Sequence, residues 1–232
     1  STMTQRGSRC RPQAGLLSTV MTGTGDDLST PTRGRYIALE GPEGSGKSTV
    51  AARLAALLGA MLTRETGGTP IGQRIRDILH DVSVHNLADR AEALLTAADR
   101  AQHLHQMVRG ALVDGRHVVS DRSVYSTLAY QGYGRGLDVA ELRVINEWAL
   151  DGWWPDLVVL IDVPPEVAAQ RISDRNLDRF ERQDAKFHQR VREGFHRLAD
   201  DEPERFVVID GSPPIAEVID AARDGVRQRL GI

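Results

Sequence analysis

The chain has 232 residues, 41% hydrophobic and 26% charged, enough for a globular domain that buries its core without covalent staples. Its 29 Lys and Arg against 32 Asp and Glu leave a formal charge of −3, which excludes a general attraction to nucleic-acid polymers or anionic membranes and requires any polyanionic ligand to be met by locally placed cations. The single cysteine, Cys10, excludes an internal disulfide and a multi-cysteine metal site, and no uncharged apolar run reaches the ~20 residues of a membrane span, so a cytoplasmic setting is expected.

Residues 1–34 are rich in Ser, Thr and Gly with no acid before Asp26, a composition that predicts a disordered extension or an expression remnant. From Arg35 onward, short apolar runs alternate with patterns of period 3.6. Strands are predicted at Tyr36–Leu39, Ala60–Thr63, His117–Ser120, Leu157–Ile161 and Phe206–Ile209, the last three apolar enough to be buried on both faces. Helices are predicted at Ser48–Leu58, Gly72–His80, Asp89–Val113, Val139–Leu150, Glu166–Ser173, Asp184–Ala199 and Ile215–Leu230. This alternation predicts one α/β domain over 35–232, with a parallel sheet covered by helices on both faces and a ligand site at the carboxyl ends of its strands.

Three segments carry chemistry. Between the first strand and the first helix lies Gly41-Pro42-Glu43-Gly44-Ser45-Gly46-Lys47-Ser48, a G-x-x-x-x-G-K-S loop in the context that gives the pattern meaning. Its glycines let backbone N–H groups form an anion nest at the positive end of the following helix, with Lys47 on the β and γ phosphates and the Ser48 hydroxyl on Mg²⁺. The third strand runs into Asp121 and Arg122; an acid there suits Mg²⁺ and its waters, and the guanidinium suits a second phosphate. The stretch Arg171–Arg182 is densely charged, and its Arg175, Arg179 and Arg182 are placed to close over a transferring phosphoryl group as a lid at about 173–184.

With these segments in hand, the chain resembles bacterial thymidylate kinases, members of the P-loop nucleoside monophosphate kinases. The likeness runs from about Arg35 to Leu230 and rests on Glu40–Thr49, Thr63–Pro70, Ala97–His103, Asp121–Arg122 and Leu128–Leu137. It implies the P-loop NTPase fold with a five-stranded parallel sheet, an arginine-rich lid, Mg·ATP as donor, dTMP or an analogue as acceptor, and a homodimer. It places ATP on Gly41, Glu43, Gly44, Ser45, Gly46, Lys47, Ser48, Thr49 and Arg182, and the metal on Ser48 and Asp121. The acceptor falls to Glu43, Arg76, Thr96, Arg100, Arg122, Thr127, Tyr130 and Gln131: Arg76 and Arg122 on its phosphate, Arg100, Thr127 and Gln131 on the thymine edge, and Tyr130 where a ribose 2′-hydroxyl would sit. Lys47, Asp121, Arg122, Arg175 and Arg179 are implied as catalytic. Gly44 stands where some relatives carry a catalytic arginine, which leaves that work to the lid.

The chain departs from the family pattern at Thr66, Thr96, Ser123 and Tyr125. Thr96 replaces a phenylalanine that stacks on the base, an interaction worth about 1–3 kcal/mol, and Tyr125 is a candidate to turn inward as its substitute. Two other functions follow if nothing compensates: a kinase of a modified or different nucleoside monophosphate, or a nucleotide binder without transfer. His103 and His105 are spaced too closely for one helical face to present both to a metal, Trp148, Trp153 and Trp154 suit core or dimer contacts, and Lys186 suits solvent.

Overall fold

The structure, a computed structural model, describes residues 33–172 and 177–232. Of the extension expected at residues 1–34, residues 1–32 lie outside the described residues, as does the site role expected of Arg175; Arg33 and Gly34 are described, with Arg33 paired to Asp156 and Gly34 N donating to Leu112 O at 2.8 Å.

Five strands form one parallel sheet: β1 (Tyr36–Glu40), β2 (Met61–Arg64), β3 (Val118–Asp121), β4 (Leu157–Asp162) and β5 (Phe206–Asp210), in the order β2-β3-β1-β4-β5. Ile37 pairs with Val119 on one side and Leu157 on the other. Alternate residues of β1 and β4 face opposite cores. Ala38, Val158 and Leu160 pack beneath one helical layer, while Ile37, Leu39, Val159 and Ile161 pack against the other. Each buried Val, Leu or Ile among these contributes about 1.5–3 kcal/mol by leaving water.

The first core is covered by α3 (Asp89–His103), α5 (Val124–Thr127), α6 (Val139–Leu150) and α8 (Ala185–Asp201). The second is covered by α1 (Lys47–Leu58) and α9 (Ile215–Leu230). The helix α2 (Pro70–His80) packs on α3, and α7 (Pro165–Ile172) follows β4. Local chemistry sets the helix starts. Thr69 caps α2 through a 2.9 Å bond from Gly72 N with Pro70 in the first turn, and Asp138 and Asp184 cap α6 and α8.

Three expectations are corrected. The most enclosed strand is β1, buried at all five positions, because it lies in the middle of the sheet. Phe206–Ile209 is apolar but forms the edge strand β5, where Val208 is exposed. The helix expected over Asp89–Val113 is interrupted by a π-helical turn, Leu104–Val108, before α4 (Arg109–Val113). A further helical stretch, α5 continued by a π-helical turn at Leu128–Gly134, was not signalled by periodicity. Its residues are enclosed nearly all round, so it has no polar face to set a period.

The chain builds β2 and β3 on one side of β1, then crosses to β4 and β5 on the other. The reversal falls at β1, whose carboxyl end opens into the glycine loop.

Candidate active site

The loop from Gly41 to Gly46 turns where side chains do not fit. Gly44 has φ +76°, and a Cβ there would meet the Ala168 carbonyl of α7 at 2.5 Å. Helix α1 begins after Gly46 without a side-chain cap, leaving N–H groups of its first turn for an anion. Ser45 Oγ is buried inside the loop without a hydrogen-bond partner. Lys47 is buried, with Nζ 3.2 Å from Pro42 O and 3.5 Å from a Glu43 carboxylate oxygen. Burial and then the Arg122 charge draw its pKa down, against Glu43 and Asp121. From the other side, Arg171 of α7 reaches the loop, donating to Gly211 O at 3.0 Å and to Gly44 O and Ser45 O at 3.5 Å.

At the end of β3, Asp121 Oδ1 is buried and has no hydrogen-bond partner, and it shares the cleft with the exposed Ser48. A hydroxyl, a partnerless carboxylate oxygen and an uncapped phosphate loop fit Mg²⁺ carried on substrate phosphates. That ion takes few protein ligands, and no cluster of three or more acidic, His or Cys ligands occurs among the described residues. Arg122 follows with φ +71°, a conformation that turns its side chain under the loop. Its guanidinium donates to Gly41 O at 3.3 Å, Ser126 Oγ at 2.9 Å, Tyr130 Oη at 3.1 Å and the Glu43 carboxylate. Against the desolvation that burial imposes, Arg122 and Lys47 hold the Glu43 carboxyl well below its ordinary range. Burial and the Glu43 charge push the Tyr130 phenol well above its own, so it remains protonated.

A cleft of about 290 Å³ opens from this point. One end carries Arg64, Arg76 and Arg122; burial and then the charges of Arg64 and Arg122 lower the Arg76 pKa, the condition of a cation cluster that gains from an anion. The other end carries Thr96, Arg100, Thr127 and Gln131, and Leu79, His80 and Phe180 line it as well. Arg100 is 1% exposed. It donates to Glu65 at 2.9 Å, Asn146, Ser123 O at 3.2 Å and Thr127 Oγ1 at 3.1 Å, which leaves one of its five N–H groups without one of these partners. Glu65 is fixed in turn by His103, whose other ring nitrogen lies 2.7 Å from Thr63 Oγ1.

The segment after the undescribed residues docks on the end of α2. Asp178 accepts from Glu181 N at 2.9 Å while Glu181 accepts from Asp178 N at 3.0 Å, a reciprocal cap. Asp178 also lies 2.6 Å from His80 Nδ1. Arg179 Nε donates to Leu79 O at 2.7 Å and its terminal nitrogen to Glu92, while Arg182 Nε donates to Leu177 O at 2.9 Å.

Residues 39–222 match the sequence model of the family described as Thymidylate kinase. The chain is 44% identical over 208 residues to a thymidylate kinase of Desulfovibrio desulfuricans, covering 84% of this chain and 96% of that protein. It is 46% identical over 204 residues to one of Oleidesulfovibrio alaskensis, covering 82% and 96%, and 45% identical over 209 residues to one of Trichlorobacter lovleyi, covering 85% and 99%. The chain belongs to the thymidylate kinase family.

The P-loop NTPase sheet that the family resemblance implied is present, and the family's enzymes are nucleoside monophosphate kinases that use ATP and Mg²⁺. The cleft brings together Glu43, Lys47, Ser48, Arg76, Thr96, Arg100, Asp121, Arg122, Thr127, Tyr130 and Gln131. Three expectations stand apart from this arrangement. Arg179 does not line the cleft and is committed to Glu92 and Leu79 O, so in this arrangement it ties its own segment to α2 and α3. Arg182 is exposed and turned back on Leu177 O. Tyr125 is fully buried against Trp154 and Phe206, with its hydroxyl 2.7 Å from Glu202, and is no substitute stacking ring. The cleft residues not singled out from the sequence are Arg64, Glu65, Leu79, His80, Ser126, Asp178, Phe180 and Glu181, together with Arg171 at the loop; Arg171, Asp178, Phe180 and Glu181 lie within the charged stretch Arg171–Arg182, and Arg64 and Glu65 within Thr63–Pro70, whereas Leu79, His80 and Ser126 had no signal.

Proposed function

We propose that this chain transfers the γ-phosphoryl group of Mg·ATP to the phosphate of dTMP, giving dTDP and ADP. The observation that carries the reading is a single cleft joining an uncapped phosphate loop to a second cluster of cations, in a chain of the thymidylate kinase family. An oxygen of the acceptor phosphate forms the new bond to the γ-phosphorus while the bond to the oxygen bridging to the β-phosphate breaks, and no side chain becomes covalently linked. Lys47 and the loop N–H groups hold the donor phosphates, and Arg76 and Arg122 orient the acceptor phosphate in line. Ser48 and Asp121 would hold Mg²⁺ brought with the nucleotide, which would supply positive charge to the donor phosphates. Arg171 braces the loop carbonyls.

At the base end, Arg100 and Gln131 face the thymine edge, and Leu79 and Phe180 supply the apolar wall that Thr96 lacks. Tyr130, tied to Arg122 and Glu43, fills the space of a ribose 2′-hydroxyl and favours deoxynucleotides. The reading includes a cytoplasmic location, a kinase domain over 35–232 and a lid at about 173–184. It also includes a homodimer through a face of α3 and α6, where Arg90 pairs with Glu141 and Leu94, Val144 and Trp148 are exposed. Among the described residues no helix is long and apolar enough to cross a membrane.

A coupled assay of ADP release with dTMP, dUMP, dCMP, UMP and dGMP tests the assignment. The expected outcome is a kcat/KM for dTMP at least tenfold above the others, lost by more than tenfold in turnover, about 1.4 kcal/mol, in Lys47→Ala. Preference for another acceptor, or near-wild-type turnover in the variant, overturns it.

A further inference from the structure

Glu92 is fully buried on α3, one helical turn before Thr96, and it lies outside the lining of the cleft. Its two oxygens take four donors. Oε1 accepts from Gln131 Nε2 at 2.8 Å and Arg135 Nε at 3.2 Å; Oε2 accepts from an Arg135 terminal nitrogen at 3.2 Å and from Arg179. Burial disfavours the charge, yet the bonds from Gln131 and Arg135 hold the carboxyl below its ordinary range. An ionised carboxylate only accepts, so the orientation of the Gln131 amide is forced. Flipping it would set a carbonyl oxygen against a carboxylate oxygen at hydrogen-bond distance. Gln131, which lines the cleft beside Arg100 and Thr127, therefore has its carbonyl oxygen as the end left for a ligand.

We infer that Glu92 is a positioning residue for acceptor specificity: it fixes the Gln131 amide so that its oxygen accepts the N3–H of a thymine or uracil base and meets the N3 lone pair of cytosine unfavourably. Arg135 and Arg179 hold Glu92 charged and in place. An oxygen facing a lone pair leaves both without a proton, and a buried polar group without a partner is penalised more than an ordinary hydrogen bond is worth. The inference rests on the acceptor reading above and adds how the base is selected.

The test is steady-state kinetics of the full chain with dTMP and dCMP in wild type, Glu92→Gln and Gln131→Met, with thermal melts of each. A glutamine at 92 offers Gln131 either a donor or an acceptor, so the amide is free to flip. The ratio of kcat/KM for dTMP over dCMP is expected to fall at least fivefold in Glu92→Gln, mainly through KM. A merely structural role would lower both acceptors alike, and a ratio that stays within fivefold of wild type overturns the inference. Should Glu92→Gln fail to fold, Gln131→Met decides: it removes the amide, and an unchanged ratio there also overturns it. Failure of wild type to phosphorylate dTMP would instead overturn the assigned reaction, which separates the two outcomes.

Discussion

Glu65 supports the base end of the cleft from below, holding Arg100 through one oxygen and His103 through the other. Burial opposes its charge, but Arg100 and His103 together draw its pKa below the ordinary value. A carboxyl depressed in the folded state stabilises the fold above its unfolded pKa of about 4.3, and that contribution is lost as pH falls through the folded value. Urea unfolding midpoints between pH 3 and pH 7 are therefore expected to decline on the acid side of about 4.3. Glu65→Gln should be less stable at pH 7 and show a flatter acid limb; an equally steep limb would remove Glu65 from the account. The placement of single residues in the cleft was legible in the sequence where chemistry fixes type and spacing along the chain, as for Lys47, Ser48, Asp121 and Arg122. Glu92, His80 and Phe180 were not, because their roles arise where segments tens of residues apart meet, and local spacing carries no trace of that meeting.

Among elements, the phosphate loop and α7 are matched by close approach. With Gly44 at φ +76° and the Ala168 carbonyl 2.5 Å from where a Cβ would lie, an arginine at that loop position has no room. This explains in packing terms why the chain carries Gly there. Gly44→Ala is expected to destabilise by about 1–3 kcal/mol in denaturant titration and to raise the KM for ATP more than that for dTMP; equal effects on both substrates would argue against a displaced loop. The strands and amphipathic helices were readable to within a few residues because half-buried helices impose a period and strands buried on both faces leave short unbroken apolar runs. Edge and centre were not distinguished, since Phe206–Ile209 and Leu157–Ile161 are equally apolar while their places in the sheet order differ. The helical turn through Tyr130 and Gln131 was invisible to periodicity, and only its family-specific sequence pointed to it.

For the molecule as a whole, the proposed homodimer gives the exposed side chains of α3 and α6 a role. Trp148 is 86% exposed and Val144 72%, with Leu94 at 55% on the neighbouring helix, an apolar grouping of the kind that marks an interface. Sedimentation velocity is expected to show a dimer that Trp148→Glu converts largely to monomer with an unchanged fold by circular dichroism; a wild-type monomer at micromolar concentration would refute the homodimer. The scarcity of lysine gives the phosphate loop a further property. Of the two lysines, Lys47 is enclosed between the loop and Arg122, while Lys186 is exposed near the start of α8. Amine-directed reagents therefore meet one sheltered and one open side-chain target. Acylation at Lys186 gives an internal reference against which occupancy of the nucleotide cradle can be read by mass spectrometry, with no label introduced by mutation.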